Sequence, residues 1–298
     1  MGSVGGSARL ASMAAVAIGL AACGSIAPGS GGAIRVVAAE NFYGDLTKQI
    51  GGDRVQVASI LSDPSIDPHE YESNTQDAVA VARAQLVIEN GAGYDSFIDH
   101  LMSASPSSLR QVINVARVFA IPSGANPHLW YSPRLLGEVA DRIANQLGTI
   151  DTANRGRFQA GAQTFHQLYR PVEDKVAQVR ARFNGAKVLP TEQVADYLLK
   201  EAGLSPVHGP FQQAVEEGND PPAQSVQEFQ QLLSTRSARI LIYNQQTVSA
   251  LTERMRQRAQ TAGVPVVGVR ETMPPGGHVQ DWMLQTITAV EDALSKTT

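Results

Sequence analysis

An α/β protein of two lobes, each a mainly parallel sheet flanked by helices and the two joined by one long backbone helix, is the fold class this sequence predicts. Three observations carry that expectation. Short apolar runs alternate with helical periods over residues 34–115, as in a parallel α/β layer. The same alternation restarts at residue 186 and continues to residue 294. Between the two, Phe158, Phe165, Leu168, Val172, Val176, Val179 and Phe183 recur three, four or seven residues apart, which is one apolar stripe on a long helix.

Taken in order, the first segment is not part of either lobe. Arg9 is the only charge ahead of an apolar run over residues 10–22. That run falls short of the ~20 apolar residues a membrane span needs and reads as a secretory signal. It ends in Leu20-Ala21-Ala22-Cys23-Gly24, which resembles the bacterial lipobox, where the Cys becomes the mature N-terminus and carries the lipid. Residues 1–22 are therefore expected to be a signal peptide and Cys23 a lipidation site. Cys23 is the single Cys of the chain, so no internal disulfide is available. Residues 23–33 are rich in Gly, Ser and Pro and read as a flexible tether.

The run over 34–39 reads as a buried strand. A helix follows over 40–50, stopped at Gly51-Gly52. Strands are expected over 55–61, 86–90 and 112–115, and helices over 75–84, 95–102 and 132–147. The long helix covers 158–183, and Pro171 should kink or split it, because the ring removes one hydrogen bond and crowds the preceding turn. The second lobe begins with a strand over 186–189. Helices over 193–202, 226–233, 248–262 and 282–294 then alternate with strands over 238–243 and 264–269, and the stretch around His208-Gly209-Pro210 reads as a loop. The expected segments are 34–150, a linking helix 151–185, and 186–298, with a cleft between the lobes.

Composition narrows the function classes. The net charge is -4 with both signs mixed along the chain. Neither a basic stripe nor an aromatic platform is present, so nucleic acid is not an expected partner. His-Glu-x-x-His and Gly-x-Ser-x-Gly are both missing from the sequence, and no general base stands out, so an enzyme is not expected. Aromatics make up only 6% of the chain, too few to line a cleft for an organic chelate.

Two motifs carry chemistry. One is Asp67-Pro68-His69-Glu70-Tyr71-Glu72, directly after a strand. The other is Asn126-Pro127-His128-Leu129-Trp130. Each sets a His straight after a Pro, which stiffens the turn that presents it. Neutral imidazole suits zinc and similar ions.

These motifs and the long helix, in this order and spacing, resemble the metal-binding solute-binding lipoproteins of zinc/manganese ABC importers. The resemblance covers the chain after the tether, and more loosely in the second half. It implies a single divalent ion, Zn(II) or Mn(II), held in the cleft by His69 and His128 from one lobe and two residues from the other. In Leu189-Pro190-Thr191-Glu192-Gln193 the third ligand is Glu192. After the last strand the family usually carries Asp; here Glu271 stands nearest, with His208 and His278 as alternatives. Trp130 and Tyr197 are expected to pack behind the ligands, and Glu70 and Glu72 to orient His69. Two imidazoles and two carboxylates would leave a bound divalent ion neutral overall, limiting the cost of burial. The long His-rich loop of many zinc-selective relatives is replaced by the short stretch 120–125. The resemblance further implies an extracytoplasmic, membrane-anchored monomer that delivers its ion to an importer permease and its ATPase. A secreted metal-dependent hydrolase and a binder of an organic metal chelate are the alternatives.

Overall fold

Strands β1 (Ile34–Glu40), β2 (Val55–Leu61), β3 (Leu86–Glu89) and β4 (Gln111–Asn114) form one sheet, all parallel, in the order β2-β1-β3-β4. Helices α1 (Asn41–Gly51), α2 (Thr75–Arg83) and α3 (Ser96–Ala104) supply its crossovers, and the short α4 (Val115–Val118) follows β4. The chain then runs through α5 (Pro133–Ile150) and α6 (Arg155–Phe183). The second sheet, β5 (Lys187–Pro190), β6 (Ser205–Pro206), β7 (Ile240–Asn244) and β8 (Val266–Val269), repeats the topology as β6-β5-β7-β8, again all parallel. Its helices are α7 (Asp196–Glu201), α8 (Pro210–Glu216), α9 (Ala223–Ser234), α10 (Ala250–Thr261) and α11 (Val279–Ser295).

This computed structural model describes residues 1–3, 5, 32–66, 68–122, 124–207 and 209–297. Cys23, the apolar run over 10–22, Asp67 and His208 lie outside them. Among the described residues, all helices and strands fall in the compact unit Ala33–Thr298, distinct from Met1–Gly32. Among the described residues, no helix is long and apolar enough to cross a membrane.

Parallel sheets are covered on both faces, so their strands are apolar throughout and the period of two sorts residues between two cores. In β1, Ile34, Val36 and Ala38 join the large central core, while Val37 and Ala39 turn to a smaller cluster under α2 and α3. In β7, Ile240 and Ile242 face the same central core, while Leu241 turns to a second satellite cluster with Phe211 and Phe229. One apolar core thus runs from sheet to sheet through α1, α5, α6 and α11. Contact is close: a Cβ on Gly161 of α6 would lie 2.4 Å from the Ile50 carbonyl oxygen of α1.

Three expectations need correction. The buried face of α6 is Phe158, Ala162, Phe165, Tyr169, Val172, Val176, Val179 and Phe183, whereas Leu168 is exposed. Pro171 does not split the helix, which continues to Phe183 as one element. Pro171 and Gln167 both lie on the exposed side, where water can satisfy the carbonyl that the ring leaves unbonded. Finally, the stretch read as a loop is short, bounded by β6 before it and by α8 from Pro210 onward. Pro210 is the first residue of α8, a position that needs no amide hydrogen.

Candidate metal centre

All four expected ligands follow strand carboxyl ends, where open α/β sheets bind their ligands. His69 lies in a 3₁₀ turn (Pro68–Glu70) beyond β2, and His128 begins the turn Leu129–Tyr131 beyond β4. Glu192 follows β5 and Glu271 follows β8. From opposite sheets His69, His128 and Glu271 converge on one place.

Glu271 is the hub. Its Oε2 lies 3.5 Å from His69 Nε2 and 3.4 Å from His128 Nε2. Ligand atoms of these three residues lie within 4.8 Å of one another. An ion bonded at about 2.0–2.1 Å in a tetrahedron sets its donors ~3.3–3.4 Å apart, close to the spacings found. Glu192 stands outside this tight trio but is tied to it. The Asn244 Nδ2 donates to Glu192 Oε2 at 2.7 Å and to Glu271 Oε1 at 2.8 Å. His128, Glu192 and Glu271 are buried, and the His69 side chain keeps 32% of its exposure.

Local sequence chemistry aims His128. The Asn126 Oδ1 accepts from the His128 backbone N–H at 3.0 Å and lies 2.7 Å from its Nδ1. This turn across Pro127 makes Nδ1 the protonated nitrogen and turns the Nε2 lone pair to the site. Asn90, at the end of β3, donates to the Pro127 carbonyl at 2.7 Å. Trp130 packs edge-on behind the His128 ring, 5.2 Å between centroids, and Tyr197 donates to the Asn126 carbonyl at 2.9 Å. Tyr94 lies edge-on to both imidazoles and donates to Glu271 Oε2 at 3.0 Å. Gln246 Oε1 accepts from the backbone N–H groups of Glu271 and Thr272, pinning the loop after β8.

Electrostatics follow from burial and mutual proximity. Burial and then the Glu271 charge push the Glu192 carboxyl up to about 8. Burial works the same way on Glu271, but the two imidazoles outweigh it and hold its carboxyl well below the usual range. Burial disfavours charge on His128, yet Glu216 and Glu271 prevail and raise its pKa. His128 Nε2 and Glu192 Oε1 are buried without any hydrogen-bond partner. Atoms of this kind cost stability unless something satisfies them, and a divalent cation held by the trio would satisfy His128 Nε2.

The remaining candidates are placed elsewhere or differently. The His278 side chain is 56% exposed and pairs with Asp45 at 2.8 Å at the start of α11, apart from the trio. Glu70 and Glu72, expected to orient His69, are both exposed. Sequence reasoning missed Tyr94, Asn244, Gln246 and Glu216. Asn244 closes the apolar run of β7, and the rule that sites gather at strand ends was the signal that could have found it.

Comparison with known proteins identifies the family and the fold. Residues 36–293 match the family described as zinc-uptake complex component A, periplasmic. The metal ABC transporter substrate-binding lipoprotein FimA of Streptococcus parasanguinis is 26% identical over 57% of this chain and 59% of its own. The manganese ABC transporter substrate-binding lipoprotein PsaA of Streptococcus pneumoniae is 24% identical over 65% and 68%. The chain therefore spans about three fifths to two thirds of the length of these relatives. Among solved structures, the binding protein FpvC of Pseudomonas aeruginosa in complex with Mn2+ superposes with a TM-score of 0.74 at 19% identity, covering 89% of this chain and 100% of that one. A periplasmic metal binding protein of Candidatus Liberibacter asiaticus superposes at 0.72 and 16% identity, covering 87% and 98%. These two likenesses concern the fold.

Proposed function

The chain belongs to the periplasmic zinc-uptake complex component A family, and from that premise we propose that it captures one divalent transition metal ion, Zn(II) or Mn(II), outside the cytoplasm and delivers it to an ABC importer. The observation that carries this reading is the gathering of two imidazoles on the Glu271 carboxylate, with His128 Nε2 buried and unpartnered and Glu192 tied to Glu271 through Asn244. His69, His128, Glu192 and Glu271 would hold the ion. Names of relatives such as FimA and PsaA, as substrate-binding lipoproteins of metal transporters, support the same assignment.

His69 and His128 supply imidazole nitrogens from the first sheet, and Glu192 and Glu271 supply carboxylate oxygens from the second. Four protein donors fill a tetrahedral ion and leave no position for an activated water, the arrangement of carriage and not of catalysis. The ion then neutralises the repulsion between the two Glu residues and links the sheets at the front. Behind, Asn41 and Met273 exchange hydrogen bonds of 2.7 and 3.1 Å, and Gln49 pairs with Gln280. Capture and release on this reading need small displacements of the site loops about a shared core, not a wide hinge. The proposed partners are the importer's permease and ATPase, with Cys23 as the lipid anchor of a monomer.

Elemental analysis and titration of the metal-free chain test the reading. One tightly held Zn(II) or Mn(II) per chain, lost in His128→Ala and in Glu271→Ala, is expected. A refilled protein without stoichiometric metal would refute it.

A further inference from the structure

The four expected ligands leave out a donor that faces the same place. Glu216 is the last residue of α8, and its Oε1 stands 3.7 Å from His128 Nε2. That oxygen is buried and has no hydrogen-bond partner. The other oxygen of the carboxylate accepts only a long bond, 3.4 Å, from the Gln193 backbone N–H. A carboxylate at a helix C-terminus also meets the negative end of the backbone dipoles. Glu192 Oε1 and His128 Nε2, on side chains almost wholly buried, are unpartnered too. Three separate elements thus each leave a buried atom unsatisfied, and Glu216 Oε1 and His128 Nε2 face each other at 3.7 Å.

Glu216 also lines a polar cavity of about 570 Å3, with Asn126, Pro127, Gln193, Gly209 and Gln213 in its wall. Glu216 thus borders both the cavity and His128.

We propose that Glu216 is a fifth protein donor to the captured ion, approached through this cavity, and that it biases the site toward Mn(II) over Zn(II). The inference rests on metal capture by His69, His128, Glu192 and Glu271. Zn(II) is satisfied by four donors in a tetrahedron. For a fixed donor set it also binds more tightly than Mn(II), so any preference for Mn(II) must come from donor type, number and geometry. Two imidazoles with three carboxylates exceed a tetrahedron and supply the oxygens that Mn(II) prefers.

The test is a competition titration of Mn(II) and Zn(II) against the full chain and against Glu216→Gln and Glu217→Gln, with the visible spectrum of the Co(II)-loaded forms. Gln keeps the shape and removes the charge. Glu216→Gln is expected to lose roughly 10- to 100-fold in Mn(II) affinity, in the range seen for perturbed metal sites, and distinctly less for Zn(II). Its Co(II) bands should intensify toward the four-coordinate pattern, a change that a purely structural His–Glu pair would not produce. Equal Mn(II) and Zn(II) losses, an unchanged Co(II) spectrum, or a matching loss in Glu217→Gln would overturn the assignment. Failure of the parent chain to bind either metal would instead remove the site itself, and this inference with it.

Discussion

The two halves of the site are built on different principles. The imidazole half is held locally: Asn126, two residues from His128, fixes both its backbone and its ring nitrogen. The carboxylate half is held from afar. One amide, Asn244, restrains Glu192 across 52 residues and Glu271 across 27. Local support survives as a readable motif, because the turn that makes it is a few residues long. Distant support exists only once β5, β7 and β8 lie side by side. The halves also differ in charge: imidazoles at the first sheet tolerate one another, while two buried carboxylates repel until a cation or a proton joins them.

His128→Ala should have the largest effect, since it removes a buried donor. An affinity loss above about 100-fold is expected by titration, beyond the range for outer partners. His69→Ala, at the partly exposed donor, should cost less; the reverse order would break the picture of His128 as the anchored member. Asn244→Leu comes next, at roughly 10- to 100-fold, because it releases two carboxylates together, whereas Asn126→Ala frees one imidazole and should cost less. If Asn126→Ala proved the more damaging, the contrast between local and distant support would be wrong.

Protons sharpen the same contrast. Glu192 is pushed up to about 8 by burial and then by Glu271, and His128 is raised by Glu216 and Glu271 against burial. Both are therefore protonated in the metal-free protein at lower pH, and both must lose that proton to bind the ion. Affinity should fall as pH drops from about 8 toward 6, with protons released on binding. Titration in buffers of different ionisation enthalpy measures the release, and a flat profile would contradict the raised carboxyl. Metal removal should increase hydrogen exchange mainly around Glu192 and Glu271, where the repulsion returns; equal exchange in both halves would count against it. The smallest effect expected is that of Leu168→Ala. Exposed on α6, it should change stability by no more than about 0.5 kcal/mol, while Phe165→Ala on the buried face should cost about 3–5 kcal/mol. Thermal or denaturant unfolding separates the two.

How much of this was legible follows from distance along the chain. The strand and helix alternation, the long helix and the two Pro-His turns depend on neighbours within a few residues, and sequence periodicity and turn chemistry report them. Glu192 and Glu271 were reachable only through resemblance, since a single Glu after a strand has no local signature. Leu168 was misassigned because its spacing fits the apolar stripe, whereas Tyr169 is the residue turned inward. The sequence by itself determined the α/β layers, the helix between them and the two histidines. The tertiary structure alone decided that Glu271 meets both imidazoles, that Asn244 holds the acid pair and that Glu216 lies beside His128. Those placements come from packing two sheets on one core, which brings together side chains whose separation in sequence carries no pattern.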